Sequence, residues 1–254
     1  MNRLIIVGSP RTDGRCAHLA DALFEACIED HPEDEVALAP VSTLDVAPCT
    51  GCDGCRPEGW ERGGAVPEAD GAPRCVVADD MQEIYELIDA ADELAVVAPV
   101  YFAGPSSQLK ALLDRLEPYF YTDGRHRRPL RPATLHVVGE GGDPYGYEPL
   151  VGIVRSALSV AGFRVETVLD WVGRIDASGE ITDEAVEYEV DASGAQPRPK
   201  LDLGGARESR PAKADGRAAR SQASARSHSG PKPAKGSSYG GRGARGGGKG
   251  RRRG

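Results

Sequence analysis

Short apolar runs alternate with longer amphipathic segments along the first two thirds of this 254-residue chain. Residues 94–98 are continuously apolar, as a strand covered on both faces of a sheet is, and residues 4–7 have the same buried-strand pattern. The predicted strands are residues 4–7, 35–39, 94–98, 134–138 and 164–169.

The segments between these runs carry apolar residues at intervals of three or four, as amphipathic helices do. Asp79 and Asp80 are interpreted as caps of the second helix, with Glu83 completing a capping box. The predicted helices are residues 17–28, 81–88, 109–116 and 153–161, with a short final helix over residues 181–188. Five strands separated by four long helices predict a doubly wound, five-stranded parallel sheet in a three-layer α/β/α domain.

A doubly wound sheet binds its ligand at the carboxyl ends of its strands, where the strand order reverses. In the loop over residues 9–15, the chain turns into a helix, so that backbone N–H groups and the helix dipole face a ligand. Arg11 adds a charged donor. This turn has neither the Gly-Lys-Ser/Thr ending nor the GxGxxG pattern of other phosphate loops. A monophosphate such as that of FMN is therefore the better fit, and turn geometry alone is the alternative.

Two further loops at this edge, residues 99–104 and 139–146, suit a flat ring. Tyr101 and Phe102 offer aromatic faces beside main-chain donors, although ordinary packing is the alternative interpretation. Gly141 and Gly142 allow the backbone to approach a ligand closely. The three loops together predict a bound flavin.

A compact cysteine motif suggests a second site. Cys49, Cys52 and Cys55 lie three residues apart with a glycine in each interval, a spacing that lets thiolates converge on one centre, as in ferredoxin-type runs. A four-thiolate zinc site uses the same ligands, and unligated thiols are the third possibility. Cys16 and Cys27, in the first predicted helix, are interpreted as packing residues.

The charge is distributed unevenly along the chain. Residues 201–254 carry 14 Lys and Arg against three Asp and Glu, a net charge of +11, whereas residues 1–200 carry −19. Since the end of the chain is rich in Gly, Ser, Ala, Pro and Arg, we predict a disordered basic tail over residues 191–254 after a domain over residues 1–190. Such a tail can bind nucleic acid weakly through its phosphates; the alternatives are a solvated tail or one that folds back on the acidic domain.

Met1 leads almost directly into the first strand, and no apolar run approaches the ~20 residues that span a bilayer. We therefore expect a cytoplasmic protein with no membrane segment, in which cysteines are thiols or metal ligands rather than disulfides. The basic residues 125–128 either attract a phosphate-bearing donor such as NADPH or form a solvated loop. The five scattered histidines are interpreted as satisfied or solvated side chains, and no hydrolase motif is present.

Several motifs, taken together, resemble the NADPH-dependent FMN reductase-like family, and most closely its iron–sulfur flavoprotein branch. The resemblance covers about residues 1–175. It is carried by Gly-Ser-Pro-Arg at 8–11, Cys-x-x-Cys-x-x-Cys at 49–55, Cys75 before Asp79-Asp80-Met81, Pro-Val-Tyr-Phe at 99–102, and Leu109-Lys110 with Asp114-Arg115. It implies a flavodoxin-like fold, bound FMN, a dimer or tetramer, and electron transfer between reduced carriers and acceptors.

The resemblance also implies residue roles. Those around the FMN phosphate would be Ser9, Arg11, Gly14, Arg15 and Cys16. Those meeting the ring system would be Pro99, Val100, Tyr101 and Phe102. Those ligating a 4Fe-4S cluster would be Cys49, Cys52, Cys55 and Cys75. The 19 residues between the last two cysteines exceed the handful usual in the branch, but closing the longer loop costs only about 1 kcal/mol, far less than metal–thiolate bonding contributes.

These observations predict a flavodoxin-like oxidoreductase that exchanges electrons through FMN. It would work either with a 4Fe-4S cluster or as an NAD(P)H-dependent FMN or quinone reductase, with a redox protein or a small molecule as acceptor and as a homo-oligomer. The alternative is a non-catalytic adaptor in which a zinc or empty cysteine loop accompanies an RNA-binding Arg/Gly tail.

Overall fold

Strands form in the positions where the sequence is continuously apolar. The computed structural model describes residues 1–60, 74–121 and 129–188. Within these ranges the strands are β1 (Asn2–Val7), β2 (Glu35–Pro40), β3 (Glu93–Pro99), β4 (Arg131–Val138), β5 (Phe163–Asp170) and β6 (Val186–Tyr188). They make one sheet of order β2-β1-β3-β4-β5-β6, in which the first five strands are parallel and β6 runs antiparallel to β5.

Helices connect the parallel strands, as the amphipathic segments predict. The helices of the described ranges are α1 (Arg15–Asp30), α2 (Met81–Ala90), α3 (Ser107–Asp114), α4 (Glu117–Phe120) and α5 (Glu148–Val160). The predicted α/β fold and its five parallel strands are confirmed. The short α4 is additional, and it begins with a proline in its first turn, where a missing N–H costs nothing.

The predicted final helix over residues 181–188 is wrong. Ile181 instead forms an isolated bridge with Ile175, and Val186 begins β6. Residues 186–188 pair antiparallel with Val168, Leu169 and Asp170 of β5. Pairing along β5 satisfies the backbone groups that an edge strand leaves open.

The predicted capping box on α2 is also wrong, because the Asp80 side chain makes no cap hydrogen bond. Its carboxylate accepts a hydrogen bond from the Asp45 N–H at 2.7 Å. Asp79 supplies the local contact, since its Oδ1 accepts from the Met81 N–H at 3.1 Å. Both carboxylates therefore tie α2 to the segment that leaves β2.

The central strands β1, β3 and β4 are buried on both faces over most of their length, which explains their apolar runs, whereas β5 alternates buried and exposed positions. Leu4 and Ile6 of β1 pack into the larger core with α2, α3 and α5, whereas Ile5 and Val7 pack into a second core against α1. Each large aliphatic side chain buried in this way contributes about 1.5–3 kcal/mol. The two cores fix the sheet between two layers of helices.

All described residues lie within one compact unit, Met1–Arg198. The predicted tail and the basic residues 125–128 lie outside the described residues, so both stay predictions, as does the 1–190 domain boundary. No helix in the described ranges is long and apolar enough to cross a membrane.

His136 of β4 is a buried, satisfied histidine. Its Nδ1 accepts a hydrogen bond from the Trp171 indole N–H at 3.1 Å, and the two rings stack with an interplanar angle of 18°. Burial lowers the pKa of His136 from 6.5 to about 4. The imidazole is therefore neutral in the folded protein at pH 5, whereas in the unfolded chain it is mostly protonated.

We expect the folded state to lose about 2 kcal/mol of stability between pH 7.5 and pH 5 through His136, because the unfolded chain takes up a proton that the folded state excludes. Urea unfolding at the two pH values measures this loss. His136→Gln keeps an acceptor for the indole N–H but does not titrate, so it should remove this component. An equal loss in that variant would contradict the assignment.

Candidate functional site

A cavity of about 620 Å³ opens at the carboxyl ends of β1, β3 and β4. The sheet order reverses at β1, which lies between β2 and β3, and this is the position at which doubly wound sheets bind ligands. All eleven residues predicted for the cofactor line this cavity: Ser9, Arg11, Gly14, Arg15, Cys16, Pro99, Val100, Tyr101, Phe102, Gly141 and Gly142. The structure thus brings the three predicted loops together.

The first wall of the cavity is the turn between β1 and α1. The first turn of an α-helix leaves N–H groups without an intrahelical acceptor, and among the described side chains none caps α1 at Gly14. Ser9 is buried, and its Oγ accepts a hydrogen bond from the Arg11 N–H at 3.1 Å, which holds the turn in shape. The Arg11 side chain is exposed and has no bonding partner among the described residues. Arg11, Gly14 and the first two residues of α1, Arg15 and Cys16, line the cavity.

Close packing beneath this turn requires a glycine. A Cβ on Gly8 would lie 2.5 Å from Cδ2 of Leu109 and 3.2 Å from the Val97 carbonyl oxygen. The hydroxyl of Ser106, which caps α3, donates to the Gly8 carbonyl at 2.6 Å. The turn is therefore anchored on β3 and on the start of α3.

Arg15 joins the first loop to the third. Its Nε donates to the Ile175 carbonyl at 2.8 Å, and one terminal nitrogen forms an ion pair with Glu140, also at 2.8 Å. Glu140 lines the cavity as well. The guanidinium predicted to meet a phosphate is thus oriented by a carboxylate of the opposite loop.

Cys16 is a buried thiol in the first turn of α1. Burial raises its pKa from 9.0 to about 12, although a hydrogen bond with Ser9 and the charge of Arg15 oppose this shift. The thiol is therefore neutral at physiological pH and is not a nucleophile. Cys16 packs in the core beneath α1 and also lines the cavity, so both of its predicted roles stay predictions.

The second wall contains a strained turn. The backbones of Tyr101 and Gly104 bond to each other in both directions, at 2.8 and 3.0 Å. The two residues between them have positive φ, 51° for Phe102 and 59° for Ala103, a conformation that residues other than Gly, Asn and Asp rarely adopt. Phe102 is 101% exposed and Tyr101 39%, so ordinary packing does not account for either aromatic ring.

Asp143 holds this turn in place. Its Oδ2 accepts a hydrogen bond from the Ala103 N–H at 2.9 Å, while its Oδ1 accepts from the Tyr145 N–H, also at 2.9 Å. One carboxylate therefore joins the second loop to the third. Strain of this kind persists only where the surroundings determine the backbone, and it concentrates at binding sites.

Sequence reasoning missed Val172 and gave no role to Glu140 and Asp143 of the third loop, although all three line the cavity; Tyr147, which was predicted with Tyr145 as a residue that could cover the ligand, lines it as well. Val172 follows the end of β5, so the rule that placed the other loops at this edge would have found it. The roles of Glu140 and Asp143 depend on which backbone groups face them, and that is set by the turns. Tyr147 lines the cavity and its pKa is raised by burial and by a hydrogen bond with Asp170.

The cysteine motif leaves the same edge of the sheet, after β2. Cys49 and Cys52 are exposed, whereas Cys55 and Cys75 are partly buried. A Cβ on Gly54 would lie 2.6 Å from Cγ2 of Val76, so the two cysteine-bearing segments pack directly on each other. In the described ranges, no three Cys, His, Asp or Glu side chains are arranged around a metal position.

Burial raises the pKa of the Cys55 thiol to about 11, and Cys75 and Cys49 act in the same direction. Cys75 and Cys49 thus lie near enough to Cys55 to contribute to the shift of its pKa. Together with the packing of Gly54 on Val76, this gives four soft sulfur donors on two adjoining segments, the donor set that iron–sulfur and structural zinc centres use.

The fold and the cavity define a doubly wound α/β protein with a ligand-sized cavity at the switch point of its sheet. The chain belongs to the NADPH-dependent FMN reductase family, which residues 1–179 match. The predicted resemblance and the FMN-binding class are thereby confirmed.

Individual relatives agree with this family. An iron-sulfur flavoprotein of Methanosarcina thermophila is 38% identical over 110 residues, which are 43% of this chain and 49% of that protein. An iron-sulfur flavoprotein of Methanocaldococcus jannaschii is 34% identical over 113 residues, 44% of this chain and 50% of that protein. The chain spans about half the length of the curated relatives it matches. The crystal structure of an NADH:FMN oxidoreductase in its apo form matches with a TM-score of 0.43 and 22% identity, covering 67% of this chain and 74% of that one.

We expect Phe102→Asn to raise the free energy of unfolding of the FMN-free protein by about 1 kcal/mol, because Asn tolerates positive φ and fits this position of a two-residue turn. Urea unfolding measures the change. Phe102→Leu is the matched control, since it removes the aromatic ring but keeps the strain, and its stability should equal that of the wild type. Equal stabilities for the two variants would contradict the strain argument.

Proposed function

We propose that the protein is an FMN-dependent oxidoreductase that accepts electrons from NAD(P)H and passes them through a 4Fe-4S cluster to a redox protein or a small-molecule acceptor. The observation that carries the proposal is the convergence of three loops, after β1, β3 and β4, on one cavity at the switch point of the sheet. Family membership supports the cofactor.

The turn at the start of α1 would bind the FMN phosphate. Main-chain N–H groups at a helix N-terminus, the helix dipole and the Arg11 guanidinium supply positive potential without a cage of basic side chains. Arg15 would contribute from the side, where Glu140 and the Ile175 carbonyl orient it. Ser9 would shape the turn rather than carry charge.

The ring would lie between the second and third loops. When bound, FMN supplies the hydride and single-electron chemistry of the reaction. The chain would orient it: Pro99 and Val100 offer apolar contact and a fixed backbone, and Gly141 and Gly142 allow close main-chain approach. Tyr101 and Phe102 would shield the ring from water and leave an aromatic surface against which the nicotinamide ring of NAD(P)H can lie.

The cluster would be held by Cys49, Cys52, Cys55 and Cys75. A 4Fe-4S cluster supplies one-electron transfer at low potential. The iron–sulfur flavoproteins among the relatives support this assignment, as does the packing of the two cysteine segments on each other at Gly54. These segments begin at the same sheet edge as the loops of the cavity.

Arg11→Gln tests the phosphate site. Since a hydrogen bond to a charged group is worth about 1.5–3 kcal/mol, we expect the Kd for FMN to rise by about tenfold or more. Titration with FMN and with riboflavin, which lacks the phosphate, separates the two ends of the cavity, and the Kd for riboflavin should not change.

Arg164→Gln provides the control, because Arg164 is exposed on β5 and does not line the cavity. Its Kd for FMN should equal that of the wild type. A wild-type protein that retains no FMN after equilibration and dialysis would overturn the proposal. An equal loss of riboflavin and FMN binding in Arg11→Gln would overturn the position of the phosphate.

Cys52→Ala tests the cluster. Because Cys52 is exposed, its replacement should leave the fold intact but remove iron and acid-labile sulfide from anaerobically purified protein. Cys27→Ala, in α1 and away from the motif, should keep both, and FMN content should be the same in the two variants. Full iron content in Cys52→Ala, or zinc without sulfide in the wild type, would count against the cluster.

A further inference from the structure

The two segments that carry the cysteines are joined at their flanks by a buried arginine. Arg115, just after α3, is 1% exposed. One of its terminal nitrogens donates to the Ala47 carbonyl at 2.9 Å, two residues before the first cysteine. The other donates to the Val77 carbonyl at 3.4 Å, two residues after the last. One guanidinium thus connects both ends of the cysteine loop.

Asp79 completes this connection from within the second segment. Its two carboxylate oxygens accept from the two terminal nitrogens of Arg115, at 2.7 and 2.9 Å. The same carboxylate accepts from the Ala47 N–H at 3.0 Å. Ala47 is therefore bonded to both members of the ion pair: its N–H donates to Asp79, and its C=O accepts from Arg115.

Gln82 of α2 reinforces the second flank. Its side-chain amide nitrogen donates to the carbonyls of Cys75 and Val77, at 3.0 and 2.9 Å. The backbone of the fourth cysteine is thus fixed directly.

Stability alone does not explain why this ion pair is buried, because the desolvation of two charges can cost as much free energy as their attraction contributes. Among the described residues, the Arg115 guanidinium donates to the Ala47 and Val77 carbonyls and to Asp79, and it donates to no residue of the sheet. The hydroxyl of Tyr85 donates to the Arg115 carbonyl and holds that residue on α2. The arrangement is suited to fixing the position of the cysteine segments.

We propose that Arg115 and Asp79 are positioning residues for the cysteine centre, which hold Cys49 and Cys75 side by side across the intervening chain. The inference rests on the proposed cluster. If the 19-residue segment between Cys55 and Cys75 were an unrestrained loop, its two ends would come together about sevenfold less often than those of a loop of about five residues. Because Arg115, Asp79 and Gln82 fix the backbone on both sides of the cysteine loop, the cysteines can meet regardless of how long the intervening segment is.

The test uses full-length protein purified anaerobically, with Arg115→Lys and Gln82→Ala as variants. Lysine keeps the charge but cannot bridge both flanks, and Gln82→Ala removes only the contacts to the second flank. For Arg115→Lys we expect iron loss to a chelator to be about tenfold faster or more, as for other residues that orient metal ligands. Gln82→Ala should show a smaller change in the same direction.

Two further readouts separate positioning from general stability. The FMN content should not change, whereas the ratio of iron to FMN should fall. In metal-free, reduced protein, a bifunctional thiol reagent should bridge Cys75 to the first three cysteines less often in Arg115→Lys than in the wild type, as mapped by peptide mass spectrometry. This second readout does not need iron.

Arg131→Lys is the matched control. Arg131 also donates to backbone carbonyls, those of Ile88, Ala91 and Ala161, but it lies in β4 away from the cysteines. It should lower the thermal unfolding temperature without changing the iron-to-FMN ratio or the bridging.

The outcomes are distinct. If the wild type contains iron, and Arg115→Lys has the same iron-to-FMN ratio and the same thiol bridging as the wild type, the positioning role alone is overturned. If Arg115→Lys loses FMN and iron together, as Arg131→Lys then also does, the ion pair has only a structural role, and the positioning role is again overturned. A wild-type protein without iron and sulfide overturns the proposed cluster, and the positioning role with it.

Discussion

Hydrogen bonds that continue past the ends of the parallel strands determine where every loop of the site begins. The Gly8 N–H donates to Val97 of β3 at 2.8 Å, and the Val41 N–H donates to Val7 of β1 at 3.0 Å. Further along the same edge, Val100 donates to Val138 of β4. The chain cannot leave one strand without being fixed to the next, so the loops that follow are held against each other before any ligand binds.

The sequence was sufficient for those parts of the molecule that follow from burial and topology. Strands covered on both faces must be apolar along their covered length, as β1 is over residues 4–7 and β3 over residues 94–99, and parallel strands must end at one edge. These two constraints place Ser9, Tyr101 and Gly141 near each other without any knowledge of their side-chain contacts. The eleven cofactor residues were predicted on this ground and on the family resemblance together.

Features that depend on partners distant in sequence could not be predicted in this way. Asp79 has the position of a helix cap, but its main partner is Arg115, 36 residues away. The segment that forms β6 has a pattern compatible with a helix, and the open edge of β5 decides its structure. The strain at Phe102 and Ala103 leaves no mark in composition, since it arises from the contacts of Asp143 with the turn.

The two tryptophans stand beside different sites. Trp171 stacks on His136 and precedes Val172, which lines the cavity. Trp60 lies in a ring cluster with Phe120 and Tyr121, close in sequence to the third cysteine. Replacing either tryptophan with phenylalanine leaves a single indole, whose emission a neighbouring flavin or iron centre would quench. Binding at the cavity or at the cysteine motif can then be followed in solution without labelling and independently of the other.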